Sequence, residues 1–324
     1  MVRTACREAD LIIHSFLLTS TGFEIAQELG IPDMSAQFFP VFTSTAAFPA
    51  PTFPDLPLGD FYRRLTHQLV TGIFWSGSRL LYRRVQIKNP DLPNLTTWPF
   101  NPNNARQTPI LYAFSPQVVP RPGDWGKSVS ITGYWFLDDQ ENWSPDQELI
   151  NFLGEGDLPI IVAFGSSSSL DMDRLYQKII KALNLSNQRG ILVGANPDLP
   201  GISPTVFRVN NVPYQWLFKR CAAVIHHGGA GTTGQGLAAG VPNIVLPFTS
   251  DQPFWARRVF KLGAGPKPLS PRRFTSQQLA QEIETAINDP HLKKTVQKIG
   301  AAIRKEDGAA QAVNLIQGLM DLNT

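Results

Sequence analysis

Two adjacent histidines followed by a glycine-rich turn form the part of this sequence whose residue types best suit chemistry. His226 and His227 follow an apolar run over residues 221–225, and glycines occupy positions 228, 229 and 231. Glycine lets the backbone approach a ligand closely because it has no Cβ atom to collide with it. A helix predicted over residues 232–239 follows, and the unpaired N–H groups and positive dipole end of a first helical turn favour phosphate. The pattern therefore predicts a strand, a turn and a helix that bind an anion.

The glycine spacing disfavours two common phosphate sites. It matches neither the Gly-x-Gly-x-x-Gly pattern of dinucleotide-binding folds nor the Gly-x4-Gly-Lys pattern of ATP-binding P-loops. Asp251 and Gln252 stand just past a strand predicted over residues 244–246, and Asp251 is 19 positions after Thr232. A carboxylate beside an amide can accept from and donate to neighbouring hydroxyl groups. The anion turn and this pair together are a more specific signal than the turn alone.

Strands and helices alternate along the chain, which predicts an α/β fold built on parallel sheets. The strands are predicted at residues 11–13, 34–38, 159–164, 190–193, 206–209, 221–225 and 244–246, with two more short ones between 109 and 137. The later strands and their helices make a complete Rossmann-like domain. The chain opens on the end of a helix, whereas a doubly wound domain normally begins with a strand and a tight glycine turn. We therefore expect the first domain to be incomplete, by roughly a hundred residues of a usual domain.

The composition is that of a globular protein with room for one large core or two medium ones. The 324 residues are 43% hydrophobic and 17% charged, and the net charge of +3 suits an anionic ligand or membrane surface without singling out either. Two cysteines, Cys6 and Cys221, make no disulfide framework and favour a reducing compartment. No apolar run is long enough for a transmembrane helix and the first residues are too polar for a secretory signal. We expect a cytoplasmic protein, with peripheral membrane contact as a further alternative.

The stretch from His226 to Gln252 resembles the donor signature of nucleotide-sugar glycosyltransferases with two Rossmann-like domains, the GT-B fold. Residues 112–116, 120–125 and 129–135, about a hundred positions away, are similar to the sterol 3-beta-glucosyltransferase branch and its bacterial relatives. The resemblance implies four segments. They are an acceptor-side domain at 1–140, a linker at 141–147, a nucleotide-sugar-binding domain at 148–307, and a C-terminal helix at 308–324 that could pack back on the first domain.

The resemblance also implies which residues contact the donor. The diphosphate site would comprise His227, Gly229, Gly231, Thr232 and Thr233; the sugar site Asp251 and Gln252; and the nucleotide site Gly165, Ser166, Val212, Gln215 and Gln235. Gln235 stands where plant relatives place a ribose-binding glutamate. Thr232 and Thr233 have a second interpretation as helix N-caps, which use the same N–H groups. His226 lies on the opposite face of an extended backbone from His227, so we expect it to be structural.

The catalytic base that the resemblance implies has no match in this sequence. Inverting transfer needs a group that removes the acceptor proton, and the family's histidine for this step lies in a first strand and turn that no segment before residue 100 matches. We expect His14, which lies just past the end of a strand, to be a packing or loop histidine, with a substitute base as the alternative. We expect His67 to be solvated on its helix. Asp171 and Asp173 have the spacing of a metal motif but start a helix, where capping is the better interpretation. No metal is predicted.

The leading hypothesis is an inverting glycosyltransferase that moves a hexose, expected to be glucose, from a UDP-sugar to a hydroxyl of a lipid-like acceptor such as a sterol. His227 and the helix end would stabilise the departing diphosphate. The UDP-sugar is a co-substrate, and neither a further cofactor nor a nucleic-acid partner is expected. The alternative is a catalytically impaired nucleotide-sugar-binding fragment or pseudo-enzyme without the N-terminal base. The helix predicted over residues 61–86 also has two interpretations, a packing helix with solvated arginines or a basic surface near lipid that lines an acceptor pocket.

Overall fold

The computed structural model describes residues 2–88, 95, 97–101, 103–104, 107–137, 143–165, 171–201 and 203–321. The chain divides into two compact units. Unit 1 comprises Met1–Pro116, Pro120–Trp135 and Asp307–Thr324, and unit 2 comprises Gln117–Val119 and Phe136–Glu306. Both units are built on parallel sheets, as the alternation of strands and helices predicts.

Unit 1 contains a four-stranded parallel sheet in the order β1-β2-β3-β4. The strands are β1 Ile12–His14, β2 Asp33–Gln37, β3 Ile110–Tyr112 and β4 Val129–Ile131. In the register, Ser35 of β2 pairs with His14 on one side and Ile110 on the other. Every residue of β2 and β3 is buried, as expected for a parallel sheet with both faces covered.

Unit 1 also contains helices, of which Thr19–Leu29 contacts β1 and β2. The helices are α1 Val2–Ala5, a 3-10 turn Phe16–Leu18, α2 Thr19–Leu29, the 30-residue α3 Gly59–Lys88, and the C-terminal helix of the series, Gly308–Asp321. Ala312 of this last helix packs in one apolar cluster with Met34 and Leu111. Residues 308–321 therefore contribute to the core of unit 1.

Unit 2 contains a five-stranded parallel sheet in the order β7-β6-β5-β8-β9. The strands are β5 Ile160–Ala163, β6 Gly190–Val193, β7 Val206–Val209, β8 Ala223–His226 and β9 Asn243–Val245. The helices are α4 Gln147–Gly154, α5 Met172–Leu185, α6 Tyr214–Leu217, α7 Ala230–Ala239, α8 Gln252–Lys261, α9 Ser276–Asn288 and α10 Pro290–Ile303, so that Gly308–Asp321 is α11. The Asp171 carboxylate accepts a hydrogen bond from the Arg174 N–H at the start of α5, which confirms the capping interpretation.

The connections in unit 2 reverse direction between its two central strands. From β5 the chain proceeds outward to β6 and β7, whereas from β8 it proceeds outward the other way to β9. Ligands of open parallel sheets bind at the carboxyl ends of the strands at such a point. Gly165 follows β5 and His227 follows β8, so both lie at this position.

The central strands bury both of their faces. Ile160 and Val162 belong to an apolar cluster with α5 and α9, while Ile161 and Ala163 belong to a second cluster with α4 and α6. All four side chains are fully buried. The sheet is thus held from both sides, which fixes the ends of β5 and β8 as rigid supports.

The structure corrects the expectation for His67. This side chain is only 1% exposed, and its Nε2 lies 3.1 Å from the Phe48 carbonyl oxygen. Burial lowers the pKa of His67, while the Phe48 bond and the charge of Asp124 oppose that effect. The loop before α3 covers this part of the helix, and the Ala50 N–H donates to Thr66 Oγ1 beside it. The expected solvated position is therefore wrong.

His14 is the packing histidine that the sequence predicts. It is 4% exposed within β1, and its Nε2 lies 3.1 Å from Asp33 Oδ2. The Thr108 hydroxyl donates to the same carboxylate oxygen at 2.7 Å. Among the residues that the structure describes, no helix combines the length and the apolar character needed to cross a membrane.

Candidate functional site

The glycine turn after β8 is closed by neighbouring backbone. Gly228 has a φ of +87°, and a Cβ atom built on it would lie 2.8 Å from Val245 Cγ1 and 3.1 Å from the Gln252 carbonyl oxygen. Only glycine meets both requirements, a left-handed backbone and close packing. The turn is thus pressed against the end of β9 and the start of α8, which brings Gln252 beside the anion turn.

Helix α7 begins at Ala230, two residues before the predicted start. Gly229 is its N-cap, with φ −62° and ψ 145°, and the Thr233 N–H donates to the Gly229 carbonyl oxygen at 2.9 Å. The interpretation of Thr232 and Thr233 as N-caps is therefore wrong. Glycine is itself a tolerated N-cap. A side chain at this position would collide with the His227 ring. The N–H groups of Ala230, Gly231 and Thr232 have no partner within the helix, as in any first turn.

The first turn of α7 faces open space at Gly231. A Cβ atom built there would meet nothing within 4 Å. Thr232 is half-buried, whereas the Thr233 side chain is fully buried and its N–H belongs to the helix ladder. Gly231 and Thr232 can therefore offer N–H groups to an anion, while the Thr233 hydroxyl is buried with no hydrogen-bond partner among the described residues.

His226 holds the turn from the interior. The Gly228 N–H donates to His226 Nδ1 at 3.1 Å, so the ring carries its proton on Nε2, which lies 3.0 Å from Asn243 Oδ1. Asn243 Nδ2 in turn donates to the Val241 carbonyl at 2.7 Å. Burial, with electrostatic repulsion from a protonated His227 acting in the same direction, lowers the pKa of His226 to about 3, and the Asn243 bond opposes the shift. His226 is therefore neutral and structural, as its position on the strand predicts.

His227 stands between two glycines. Its Cε1 lies 3.9 Å from the position of a Cβ on Gly165, and its Nε2 lies 2.5 Å from the position of a Cβ on Gly229. Gly229 therefore leaves room for the ring, whereas a side chain at Gly165 would only reach ordinary van der Waals contact with it. Burial lowers the pKa of His227, and the Ala163 carbonyl opposes this effect, although no bond of ordinary geometry reaches the buried Nδ1. A neutral imidazole here can donate one hydrogen bond to an anion.

Asp251 and Gln252 lie at the start of α8. Trp255 Nε1 donates to Asp251 Oδ2 at 2.8 Å, and burial raises the pKa of Asp251 while this bond opposes the shift. Gln252 Oε1 accepts from the N–H groups of Phe248 and Thr249 at 2.7 and 3.0 Å. The Gln252 side chain is thus oriented by the loop after β9. Its Nε2 makes no hydrogen bond to any residue in the described ranges and is free to donate to a ligand.

A cavity of about 590 Å³ opens in unit 2 beside this turn. Four of the five residues expected at the nucleotide line it, namely Gly165, Val212, Gln215 and Gln235. The fifth, Ser166, lies outside the described residues. Val212 is buried in the wall, while Gln215 Nε2 donates to the Leu137 carbonyl at 3.1 Å. Gly165 lies at the switch point, beside the His227 ring that precedes the glycine turn, and it lines this cavity.

The sequence analysis did not predict three further groups of residues at this cavity and turn. Trp143 and Tyr214 line the cavity, and Trp143 packs against Trp216 with ring centroids 5.0 Å apart. Trp143 stands in a polar stretch with no periodicity, so no signal points to it. Asn210 and Asn211, also in the lining, follow the carboxyl end of β7, and that position is a usable signal. Asn243 was detectable too, as a polar residue next to a strand predicted to be buried.

A second cavity, of about 670 Å³, lies within unit 1. Aromatic rings form much of its wall: Phe42, Trp75, Trp98 and Phe100. Trp98 packs against Phe42 and Phe100 with centroid separations of 5.1 and 5.6 Å. Polar groups also reach the cavity, including Thr43, whose hydroxyl is 2.6 Å from Tyr112 Oη. In the described parts of both units, no group of three or more His, Cys, Asp or Glu residues is arranged to hold a metal ion.

Comparison with known proteins identifies the class. Residues 189–315 match the family described as Erythromycin biosynthesis protein CIII-like, C-terminal domain. The crystal structure of the glycosyltransferase of kitacinnamycin superposes with a TM-score of 0.74 at 20% identity, over 98% of this chain and 78% of that one. The fold is thus the mixed α/β, parallel-sheet architecture of GT-B glycosyltransferases.

Two curated relatives define the family more closely. A sterol 3-beta-glucosyltransferase of Arabidopsis thaliana is 36% identical over 293 residues, which is 89% of this chain and 45% of the plant protein. The O-mycaminosyltylonolide 6-deoxyallosyltransferase of Streptomyces fradiae is 33% identical over 337 residues, which is all of this chain and 76% of that protein. The chain belongs to this family of GT-B glycosyltransferases, with sterol 3-beta-glucosyltransferases among its homologues. It spans less than half the length of the plant relative.

Proposed function

We propose that unit 2 binds a UDP-sugar and that the chain acts in an inverting transfer of its hexose, expected to be glucose, to a hydroxyl of a lipid-like acceptor such as a sterol. One observation carries the donor site. The His227 imidazole lies between Gly165 and the N-cap of α7, next to open space over Gly231. This arrangement suits a diphosphate, because a hydrogen-bond donor and a helix N-terminus meet at a topological switch point.

Each part of the proposed donor site has a physical role. His227 and the N–H groups of Gly231 and Thr232 would bind the diphosphate and stabilise its charge as the sugar leaves. Gly229 would leave room for the imidazole. The lining of the 590 Å³ cavity, with Val212, Gln215 and Gln235, would hold the nucleoside. Thr233 would complete the site through its hydroxyl, which is buried in the first turns of α7 with no hydrogen-bond partner among the described residues.

Asp251 and Gln252 would read the sugar hydroxyls. The Asp251 carboxylate can accept hydrogen bonds, and the Gln252 Nε2 can donate one because its oxygen is already used. Hydroxyl contacts discriminate well between sugars, since a missing partner leaves a buried polar group unpaired. The proposed domain limits are 1–140 for the acceptor side, 148–307 for the donor side, a linker at 141–147 and a C-terminal helix at 308–324.

The aromatic cavity of unit 1 is the proposed acceptor site. Flat rings such as those of Trp75, Trp98 and Phe100 suit a fused apolar ring system, and the polar groups nearby could orient a hydroxyl. The Arabidopsis homologue is named for sterols, whereas the Streptomyces homologue is named for a different acceptor. A lipid-like acceptor also fits the proposal of a cytoplasmic protein in peripheral contact with a membrane.

A second candidate function is nucleotide-sugar binding without transfer. The sequence of unit 1 contains two histidines, His14 and His67, and they are 4% and 1% exposed. Both already have partners, Asp33 and the Phe48 carbonyl. Neither ring is presented to solvent in this arrangement, and this observation favours the second candidate.

Calorimetric titration with UDP-glucose, run beside a radiolabelled-glucose transfer assay on sterols, separates the two candidates. Binding together with transfer would support the leading proposal. Binding without transfer would support the second candidate. Absence of UDP-glucose binding to a folded protein would refute the donor site in both.

A further inference from the structure

Helix α3 displays an apolar stripe to solvent. Six of its large apolar side chains share one side of the helix, because they follow one another at intervals of four or seven residues. They are Phe61, Leu65, Leu69, Ile73, Leu80 and Ile87, and their exposed fractions run from 36% to 80%. Two of the buried residues of α3, His67 and Val70, lie on the other side, while the buried Thr66 borders the stripe beside Ile73. We call these six residues the α3 stripe; at 30 residues, the helix that carries it is about 45 Å long.

The same helix concentrates the positive charge of the protein. It contains five arginines and Lys88 but only one acid, Asp60, which gives α3 a net charge of +5. The whole chain carries +3, so the remainder carries −2. Arg64 pairs with Asp124 at 3.0 Å near the start of the helix. Arg83, Arg84 and Lys88, near its end, are exposed and have no ion-pair partner within the described part of the chain.

The cations and the stripe occupy overlapping sides of the helix. Arg79 and Arg83 lie four positions apart, and a helical projection at 100° per residue puts them in the same sector as Phe61 and Leu65. A protein partner that covered the stripe would have to supply carboxylates to these guanidinium groups, because unpaired buried charge is strongly unfavourable. At a lipid surface the arginine stems lie along the apolar layer while their charged ends reach the phosphates.

We propose that the α3 stripe and its cations form a docking surface for the interface of an anionic lipid bilayer. The helix would lie in the plane of the interface, with the stripe in the acyl boundary and Arg79, Arg83 and Arg84 at the phosphates. Exposed apolar side chains beside a strong positive charge are the combination that interfacial helices use. The proposal uses only residues of unit 1, so it stands independently of the donor site.

Vesicle co-sedimentation tests this surface. The intact chain is mixed with phosphatidylcholine vesicles and with vesicles that also contain phosphatidylserine. Each cation near an anionic surface strengthens binding about fivefold, so the triple variant Arg79→Gln, Arg83→Gln, Arg84→Gln should bind the anionic vesicles roughly 100-fold less tightly. The control is Lys293→Gln, Lys294→Gln, Lys298→Gln on α10, which removes the same charge from another exposed helix face and should stay within about twofold of wild type, because the docking surface is intact.

A second variant tests the apolar part. Leu69→Gln with Ile73→Gln should weaken binding to both kinds of vesicle, while UDP-glucose affinity and the unfolding midpoint report whether each variant is folded. Absence of wild-type binding to anionic vesicles would overturn the proposal, as would equal losses in the α3 and α10 triple variants. A wild-type dimer that the Leu69 and Ile73 changes convert to a monomer, with unchanged vesicle binding, would show that a second copy covers the stripe instead.

Discussion

Substitution of Gly229 by alanine is the most direct test of the proposed diphosphate site. The backbone at Gly229 has φ −62° and ψ 145°, which alanine adopts without strain. The added Cβ would lie 2.5 Å from His227 Nε2, 3.3 Å from its Cε1 and 3.4 Å from its Cδ2. Its main effect is therefore on the imidazole and not on the fold.

The size of the effect follows from this geometry. Non-bonded atoms prefer a separation of about 3.5 Å, so the ring must move by about 1 Å. Hydrogen bonds weaken steeply when their geometry is disturbed, and a bond to a charged group contributes about 1.5–3 kcal/mol. We expect Gly229→Ala to weaken UDP-glucose binding by about 10- to 150-fold, as His227→Ala would.

A double-mutant cycle distinguishes this mechanism from a general disturbance of the turn. Without the imidazole the new methyl group has nothing to displace, so Gly229→Ala should have almost no effect in a His227→Ala background. The four proteins are compared by calorimetry with UDP-glucose, after circular dichroism has shown that each is folded. Gly154→Ala, which adds a methyl group in open space on α4, is the matched control.

Additive losses in the cycle would refute this reasoning, because they would mean that the two changes act at separate places. Unchanged affinity in both single variants would show that the diphosphate lies elsewhere. A control variant as weak as Gly229→Ala would show that any added methyl group disturbs the donor unit.

Three further predictions concern other residues. Gly231→Ala should stabilise the fold by up to about 1 kcal/mol in denaturant melts, because alanine favours a helix; it should also weaken UDP-glucose binding, and unchanged affinity would contradict the site. Burial keeps the pKa of His226 near 3, below its usual 6.5. The unfolded chain therefore binds the extra proton, and stability should fall by about 1.4 kcal/mol per unit as pH drops below 6.5. His226→Gln should flatten that slope in melts at several pH values; an unchanged slope would count against it. Trp98→Ala should weaken binding of a fluorescent sterol but leave UDP-glucose affinity unchanged; a reversed pattern would refute the assignment of the unit 1 cavity.

Much of the fold could be predicted because its strands are compact apolar runs. The strands at 190–193 and 206–209 have the limits that the sequence predicts, and both lie in a sheet covered on its two faces. The prediction that His67 is solvated was wrong for a specific reason. The many arginines of its helix predict a solvent-exposed side chain. The loop that buries His67 has no periodicity, so the path of this loop could not be derived from the sequence.

The candidate site could be predicted in its residues but not in its exact geometry. Glycine's low helix propensity and threonine's preference for N-caps both favour a helix start at Thr232. The structure starts the helix at Ala230, because a tertiary constraint outweighs local preference where the turn packs against Val245 and the Gln252 backbone. The same shift of two residues places the Thr233 side chain in the interior of the protein. The role of Asn243 needed the position of the neighbouring strand, which a sequence pattern does not contain.

The packing of α11 gives this protein an order of assembly. Residues 136–306, most of unit 2, are synthesised before α11, and domains generally fold as units during synthesis. Unit 1 cannot close at that stage, because Ala312 belongs to the same cluster as Met34 and Leu111. The apolar surface around those two residues therefore stays uncovered until α11 has been synthesised. Nascent unit 1 is thus the part of the chain that chaperones would meet.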